Sequence, residues 1–451
     1  MSKRLFRSAV LGVALIVTAV QPAAAQSVLR DSETEALFKD ISKPMIQAAG
    51  LDPKSVNIVL LNDPEINAFV ATGQTVYIQS GLLVAADNVN QLQGVIAHEL
   101  GHVAGGHSIR IYEGEAVASK ISILSLLLGA AAVAAGAGEA GLGILAAGQQ
   151  AAAGNFYAFS RAQESSADLA GASYLTKAGI SGKGTLDFFK KLENQEYRLA
   201  IAQTDDYAST HPLSRDRIQT LEQIYKKDPA WNKPLDPKLE ARFERVKAKL
   251  VGFVDPKRAT TLYPESDQSV PAHYARAYAY HLGAYPDKAA QEAGALLATA
   301  PDDPYFLELK GQILLEGGKP REAIPPLRLA VAKAPDKPMI AALLGHALVA
   351  TEDSKNFAEA KQVLKEAIAR DNDNPDAWDQ LGLVYDHEGD APRAALALAE
   401  RSNLQGENKL ALASAKSAMN GLKAGSSDYL RAQDIALVSE AALKKDKKRK
   451  K

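Results

Sequence analysis

The sequence predicts a mainly α-helical chain with one small β-sheet, organised as two unlike halves of which the second is an α-solenoid. Three observations carry this. Only 6% of the 451 residues are aromatic while Ala and Leu come in long runs, which favours helices over sheet sandwiches. Val56-Asn57-Ile58-Val59-Leu60 and Thr75-Val76-Tyr77-Ile78 are short β-branched runs, with the turn formers Asn62-Asp63-Pro64 and Gly73 between them. Beyond residue 300, Gly311, Gly345 and Gly382 recur 34 and 37 residues apart.

Composition narrows the function. The absence of Cys excludes disulfides, thiolate metal ligands, a Cys nucleophile and a Cys-linked lipid anchor. A formal charge of −1 argues against a nucleic-acid binder. The length allows about two to four domains.

In chain order, residues 1–25 read as a signal peptide. Lys3, Arg4 and Arg7 precede an uncharged run over 9–20, and Ala23-Ala24-Ala25 offers a small-residue cleavage site. Removing it brings the net charge from −1 to −4 and implies export, to a bacterial periplasm. Residues 26–227 mix helical periodicity with the strand runs. The Pro-rich stretch 228–270, with one helix-like run at 238–250, reads as a partly helical linker that few contacts cross. Residues 271–440 carry the repeat. Each recurring Gly is followed by a small residue on the next helix (Ala323, Ala360, Ala394), and each unit opens on a polar-Pro turn ending at Pro304, Pro338 or Pro375. A period of 34 with this content resembles the tetratricopeptide repeat, with 271–300 as a degenerate capping unit. The basic tail 441–451 is expected to be solvated or to meet a membrane surface or an acidic partner.

The chemistry sits at His98-Glu99-Leu100-Gly101-His102, inside an apolar helical run over 92–103. Histidines at i and i+4 share a helix face, so both imidazoles can point at one ion. Glu99 lies about 100° round the helix, placed to act on water at the metal without ligating it. Zn2+, one per chain, suits imidazole ligands and an open fourth position, and Glu99 is the catalytic base such a site requires. Downstream, Glu164 and Asp168 are again i and i+4. Glu164 can ligate while Asp168 accepts the free ring N–H of a liganding His; an ordinary acidic helix face explains the same spacing.

Together these residues resemble the zincin-like zinc metallopeptidases of the gluzincin group, which includes the CAAX prenyl endopeptidases and HtpX-type proteases. The resemblance runs over about 55–225, through Asn67-Ala68-Phe69, His98–His102, Arg161–Asp168 and Thr210-His211-Pro212-Leu213. With an export signal and repeats it looks most like the periplasmic β-barrel assembly-enhancing (BepA-type) proteases. That resemblance implies His98, His102 and Glu164 as zinc ligands, Glu99 as base, and an endopeptidase in quality control of outer-membrane protein assembly. The multi-span membrane core of the prenyl endopeptidases is missing here, which counts against prenylated substrates.

Other residues have two readings each. Asn67, Ala68 and Phe69 either offer backbone to an extended substrate or merely join two strands. His211 either caps the zinc, stabilises an oxyanion, or sits in a surface loop. Arg217 either contacts a substrate carbonyl or pairs with a local acid. His107, five residues past His102, is expected to be structural. The run 121–159, charged only at Glu139, is expected to form a helical hairpin that covers the active site or touches the bilayer. Partners are protein substrates and the envelope assembly machinery, recruited by the repeats. The alternative function is a chaperone or adaptor with a latent or regulatory zinc site.

Overall fold

The computed structural model describes residues 27–71, 73–135, 137–199, 211 and 214–449. The expected signal peptide lies outside the described residues, as do Pro212 and residues 450–451.

Two of the four strands are those expected. β2 (Asn57–Asn62) and β4 (Thr75–Gln79) pair in parallel, with Leu60 opposite Ile78. β1 (Ser27–Leu29) joins the far side of β2, and β3 (Ala68–Val70) pairs antiparallel with β4 to form the other edge. The segment 67–69, expected between two strands, thus contributes an edge strand. Helices α1 (Ser32–Ala48), α2 (Ser80–Ala85) and α3 (Val89–Gly105) close one face. Leu37, Ile41, Leu60, Ile78, Leu92, Ile96 and Leu100 meet there in one buried core.

Helix α3 is capped by Asn88, whose side chain accepts from Gln91 N at 3.0 Å, and it ends at Gly106 in a left-handed turn (φ 61°). From that turn α4 (His107–Ala134) and α5 (Gly138–Ala178) form a long antiparallel hairpin. The C-terminal half of α5 crosses α3 at very short range. A Cβ on Gly101 would stand 2.6 Å from the Ala167 carbonyl, and one on Gly171 would stand 2.9 Å from that of Ala97. Only glycine at both points lets the two helices approach so closely. Helices α6 (Lys183–Leu199) and α7 (Arg215–Tyr225) complete the domain, contributing Phe188, Phe189, Ile218 and Leu221 to its core.

Residues 228–270 differ from the expected linker. They form α8 (Pro237–Val254) and α9 (Pro256–Leu262), and Phe243, Val246 and Leu250 of α8 lie in the core of the first domain. The reason is that Pro237 and Pro256 stand in the first turn of each helix, where proline starts a helix rather than breaking it.

Five helix pairs follow. They are α10 (Val270–Leu282) with α11 (Pro286–Thr299), α12 (Pro304–Glu316) with α13 (Pro320–Lys333), α14 (Pro338–Val349) with α15 (Ser354–Arg370), α16 (Pro375–His387) with α17 (Ala391–Leu404), and α18 (Asn408–Gly421) with α19 (Ser427–Arg449). The recurring glycines admit the facing helix: Leu327 fills the space beside Gly311 and Leu364 that beside Gly345. The tail expected from residue 441 continues α19 as far as Arg449, in keeping with its helix-forming Ala, Leu and Lys and a Glu440–Lys444 pair at 3.2 Å. The start of the array docks on the first domain through a buried polar network. Arg245 of α8 reaches Glu33 at 2.7 Å and Asp303 at 2.8 Å, Tyr274 donates to Glu33 at 2.8 Å, and Lys249 pairs with Asp31. Beside that network lies a cavity of 430 Å³ lined by Leu29, Leu250, Phe253, Tyr278, Glu308 and Leu343.

Candidate metal centre and active site

The α3–α5 crossing brings the two motifs face to face. His98 Nε2 and His102 Nε2 are 3.2 Å apart, and Glu164 lies 3.4 Å from the first and 3.3 Å from the second. His211 joins them, its Nδ1 3.1 Å from Glu164 Oε1 and 3.3 Å from His98 Nε2. One donor atom from each of these four buried residues falls within 4.8 Å of all the others. Such a spacing fits four donors around a single cation.

The outer atoms of the ligand rings are held as well. Asp168 Oδ1 lies 3.0 Å from His98 Nδ1, leaving Nε2 to face the centre. His107 Nδ1 lies 3.0 Å from His102 Nδ1, because the Gly106 turn brings the chain back over the helix it has just left. Arg217 grips Asp168 through Nε at 2.6 Å and Nη2 at 2.9 Å, and its Nη1 lies 3.1 Å from Glu164 Oε2. Of its two expected roles, the structure supports pairing with local acids. Its guanidinium is turned to the carboxylates of Glu164 and Asp168.

Glu99 is fully buried, and neither of its oxygens has a hydrogen-bond partner among the described residues. Burial pushes its pKa up, with the charges of His211 and His98 acting against that rise. His102 is pushed down to about 4, chiefly by burial. His98 goes the other way, to about 10: burial opposes the proton, but the carboxylates of Asp168 and Glu164 outweigh it. Glu164 stays ionised, its burial overcome by hydrogen bonds to His102, His211 and His98.

Charge balance tests whether a metal fits. Among the described residues the buried carboxylates Glu99, Glu164 and Asp168 outnumber the guanidinium of Arg217 and, without a metal, draw a proton onto His98; once a cation displaces that proton, buried negative charge remains to be offset. Uncompensated buried charge is costly, and a divalent cation would cancel this one. The donor set and its charge therefore suit a divalent metal.

His211 also ties the site to the sheet edge: its Nε2 lies 3.1 Å from the Ala68 carbonyl, which can only accept, while its Nδ1 lies among the ring and carboxylate atoms of His98 and Glu164. Asn67 is buried with its carbonyl accepting from Gln79 N at 2.9 Å, and Phe69 stacks on Tyr77 at 5.2 Å. Sequence reasoning missed Phe189, whose ring stands edge-on to His98 at 6.1 Å and under Arg217. Nothing but helical periodicity marked it.

A helix-borne His-Glu-x-x-His motif facing a second helix with its own carboxylate ligand defines a metalloprotease. Residues 32–225 match Peptidase family M48. The β-barrel assembly-enhancing protease of Yersinia pestis is 28% identical over 386 residues, covering 82% of this chain and 76% of that protein. The protease of the same name from Escherichia coli K12 is 26% identical over 376 residues, with 81% and 75% covered. Among solved structures, YrrB, a TPR protein with an unusual peptide-binding site, overlaps 40% of this chain and 94% of its own at 21% identity and a TM-score of 0.32. This chain is a metalloprotease, and its residues 32–225 are similar to peptidase family M48.

Proposed function

We propose that the chain is an exported zinc-dependent endopeptidase that acts on envelope proteins during outer-membrane protein assembly, with its repeats recruiting substrates or partners. His98, His102 and Glu164 would hold the ion, and zinc bound there supplies Lewis-acid polarisation of the scissile carbonyl and of the attacking water. Glu99 takes the proton from that water and delivers it to the leaving amine. A carboxylate whose burial raises its pKa is suited to both halves of that transfer. Asp168 and His107 fix the ring orientations, and Arg217 holds the carboxylates in place.

For His211 the geometry favours capping over oxyanion stabilisation, because its Nδ1 lies among the atoms of His98 and Glu164 that would hold the ion and its Nε2 is engaged by the Ala68 carbonyl. Moving His211 away would free both the centre and the Ala68 carbonyl, the backbone group that an extended substrate would meet on the edge of β3.

The observation that carries the enzymatic reading is Glu99. A purely structural or regulatory metal site has no use for a buried carboxylate that no described residue hydrogen-bonds and that only His211 approaches, at 3.6 Å. The test is clearance of an unfolded envelope protein by wild type and by Glu99→Gln. We expect the variant to keep its metal and lose at least about a hundredfold in rate. Equal clearance would leave the adaptor reading in its place.

A further inference from the structure

We propose that the α4–α5 hairpin dips into a phospholipid bilayer and so holds the metal centre just above the membrane surface. The insertion rests on the hairpin alone, and only its consequence for substrates rests on the peptidase reading.

Between Lys120 and Arg161 the hairpin carries one charge, Glu139. Ile123, Leu124, Leu126, Leu127 and Leu128 are all more than half exposed, as is Leu142 on the return helix. Five such residues within six positions spread over about 200° of α4, every side but the one turned to α5. A protein groove accepts one apolar stripe, whereas hydrocarbon accepts the whole circumference. The buried positions of the arm face its own partner helix. Ser125 packs on Gly148, Gly129 on Leu145, and Gly141 on Val133, so small residues let the helices touch closely. Along each arm the backbone groups bond to one another within the helix, as a bilayer demands.

The dimensions agree. From residue 121 to residue 134 the arm is about 21 Å long, more than one leaflet and less than a full hydrocarbon core of about 30 Å. Glu139 stands at the tip, so the insertion is oblique and re-entrant, not a crossing. At the base, Lys120 and the exposed rings of Tyr112 and Tyr157 form the amphipathic belt that marks a headgroup region. The packing register sets Lys120 opposite Ala153, and α5 then runs unbroken to Glu164, eleven residues on, or about 16 Å. Substrates would therefore be chain segments presented at the membrane surface.

The test uses the chain without residues 1–25, whose own apolar run would insert, floated with vesicles of phosphatidylethanolamine and phosphatidylglycerol. We expect the protein to float, and Leu124→Asp with Leu127→Asp to reduce the bound fraction at least tenfold. Both side chains are solvent-exposed, so thermal melting of that variant stays as in wild type. We expect a Trp at Leu127 to be quenched by lipids brominated deep in the acyl chain, and one at the exposed Leu169 to be spared. Failure to float, equal flotation of the double variant, or no quenching at 127 would overturn the proposal. So would a concentration-dependent dimer abolished by the same substitutions without vesicle binding, which would make a second copy's hairpin the occupant.

Discussion

Replacing Gly101 by Ala tests how the metal centre is held together. The new Cβ would stand 2.6 Å from the Ala167 carbonyl oxygen and 2.8 Å from its Cα, against an ordinary contact that begins at 3.4 Å. Both neighbours are backbone, so α5 has to retreat by about 0.8 Å, the difference between those distances. Metal–ligand distances tolerate only about 0.2 Å of error, and Glu164 is less than one helical turn from Ala167. The strain of overpacking costs roughly 1–3 kcal/mol, partly offset by about 1 kcal/mol of better helix propensity. Folding therefore survives with a melting point lower by no more than a few degrees. Zinc affinity, by contrast, falls by about tenfold to a hundredfold, the usual cost of disturbing a ligand's support. Competition with a chromophoric chelator measures it. Wild-type affinity in a folded Gly101→Ala protein would refute the claim that the helix crossing sets ligand geometry.

Three further outcomes are expected. His211→Ala should raise cleavage of a short unstructured peptide severalfold while zinc stays bound; an unchanged rate returns His211 to a structural role. Glu164→Ala should purify with little zinc, and full metal content on elemental analysis would mean that another residue completes the sphere. Glu308, beside the interdomain cavity, is pushed up to about 8 by burial, with Lys249 opposing and Asp31 and Glu33 adding to it. Between its ordinary value near 4.5 and that raised value the folded state binds a proton that the unfolded state lacks, so stability falls as pH rises through this window. Glu308→Gln should therefore raise the melting temperature at about pH 9 and change it little at about pH 4; equal shifts at both would remove Glu308 as the cause.

The centre was the most legible part of the sequence, because a spacing of four on a helix is also a direction in space. That single rule placed His98, His102, Glu164 and Asp168 correctly on their helices. It did not show how His107, expected to be structural, reaches His102, because periodicity assumes an unbroken helix and Gly106 reverses the chain. The segment 228–270 was misread for a related reason. Proline at 237, 256 and 271 looks like punctuation, yet each begins a helix. Contacts between distant segments, such as Arg245 with Glu33 and Asp303, leave no local pattern. They make the two halves one packed unit where a linker with few contacts was expected. β1, three residues long, is too short for alternation to show.

The most direct test of the central claim is a zinc titration of metal-stripped protein, followed by hydrolysis of an unfolded envelope protein. Activity should rise linearly and saturate at one zinc per chain, while Glu99→Gln takes up the same single equivalent and stays inactive. Hydrolysis by the stripped protein, or by zinc-loaded Glu99→Gln at the wild-type rate, would contradict it.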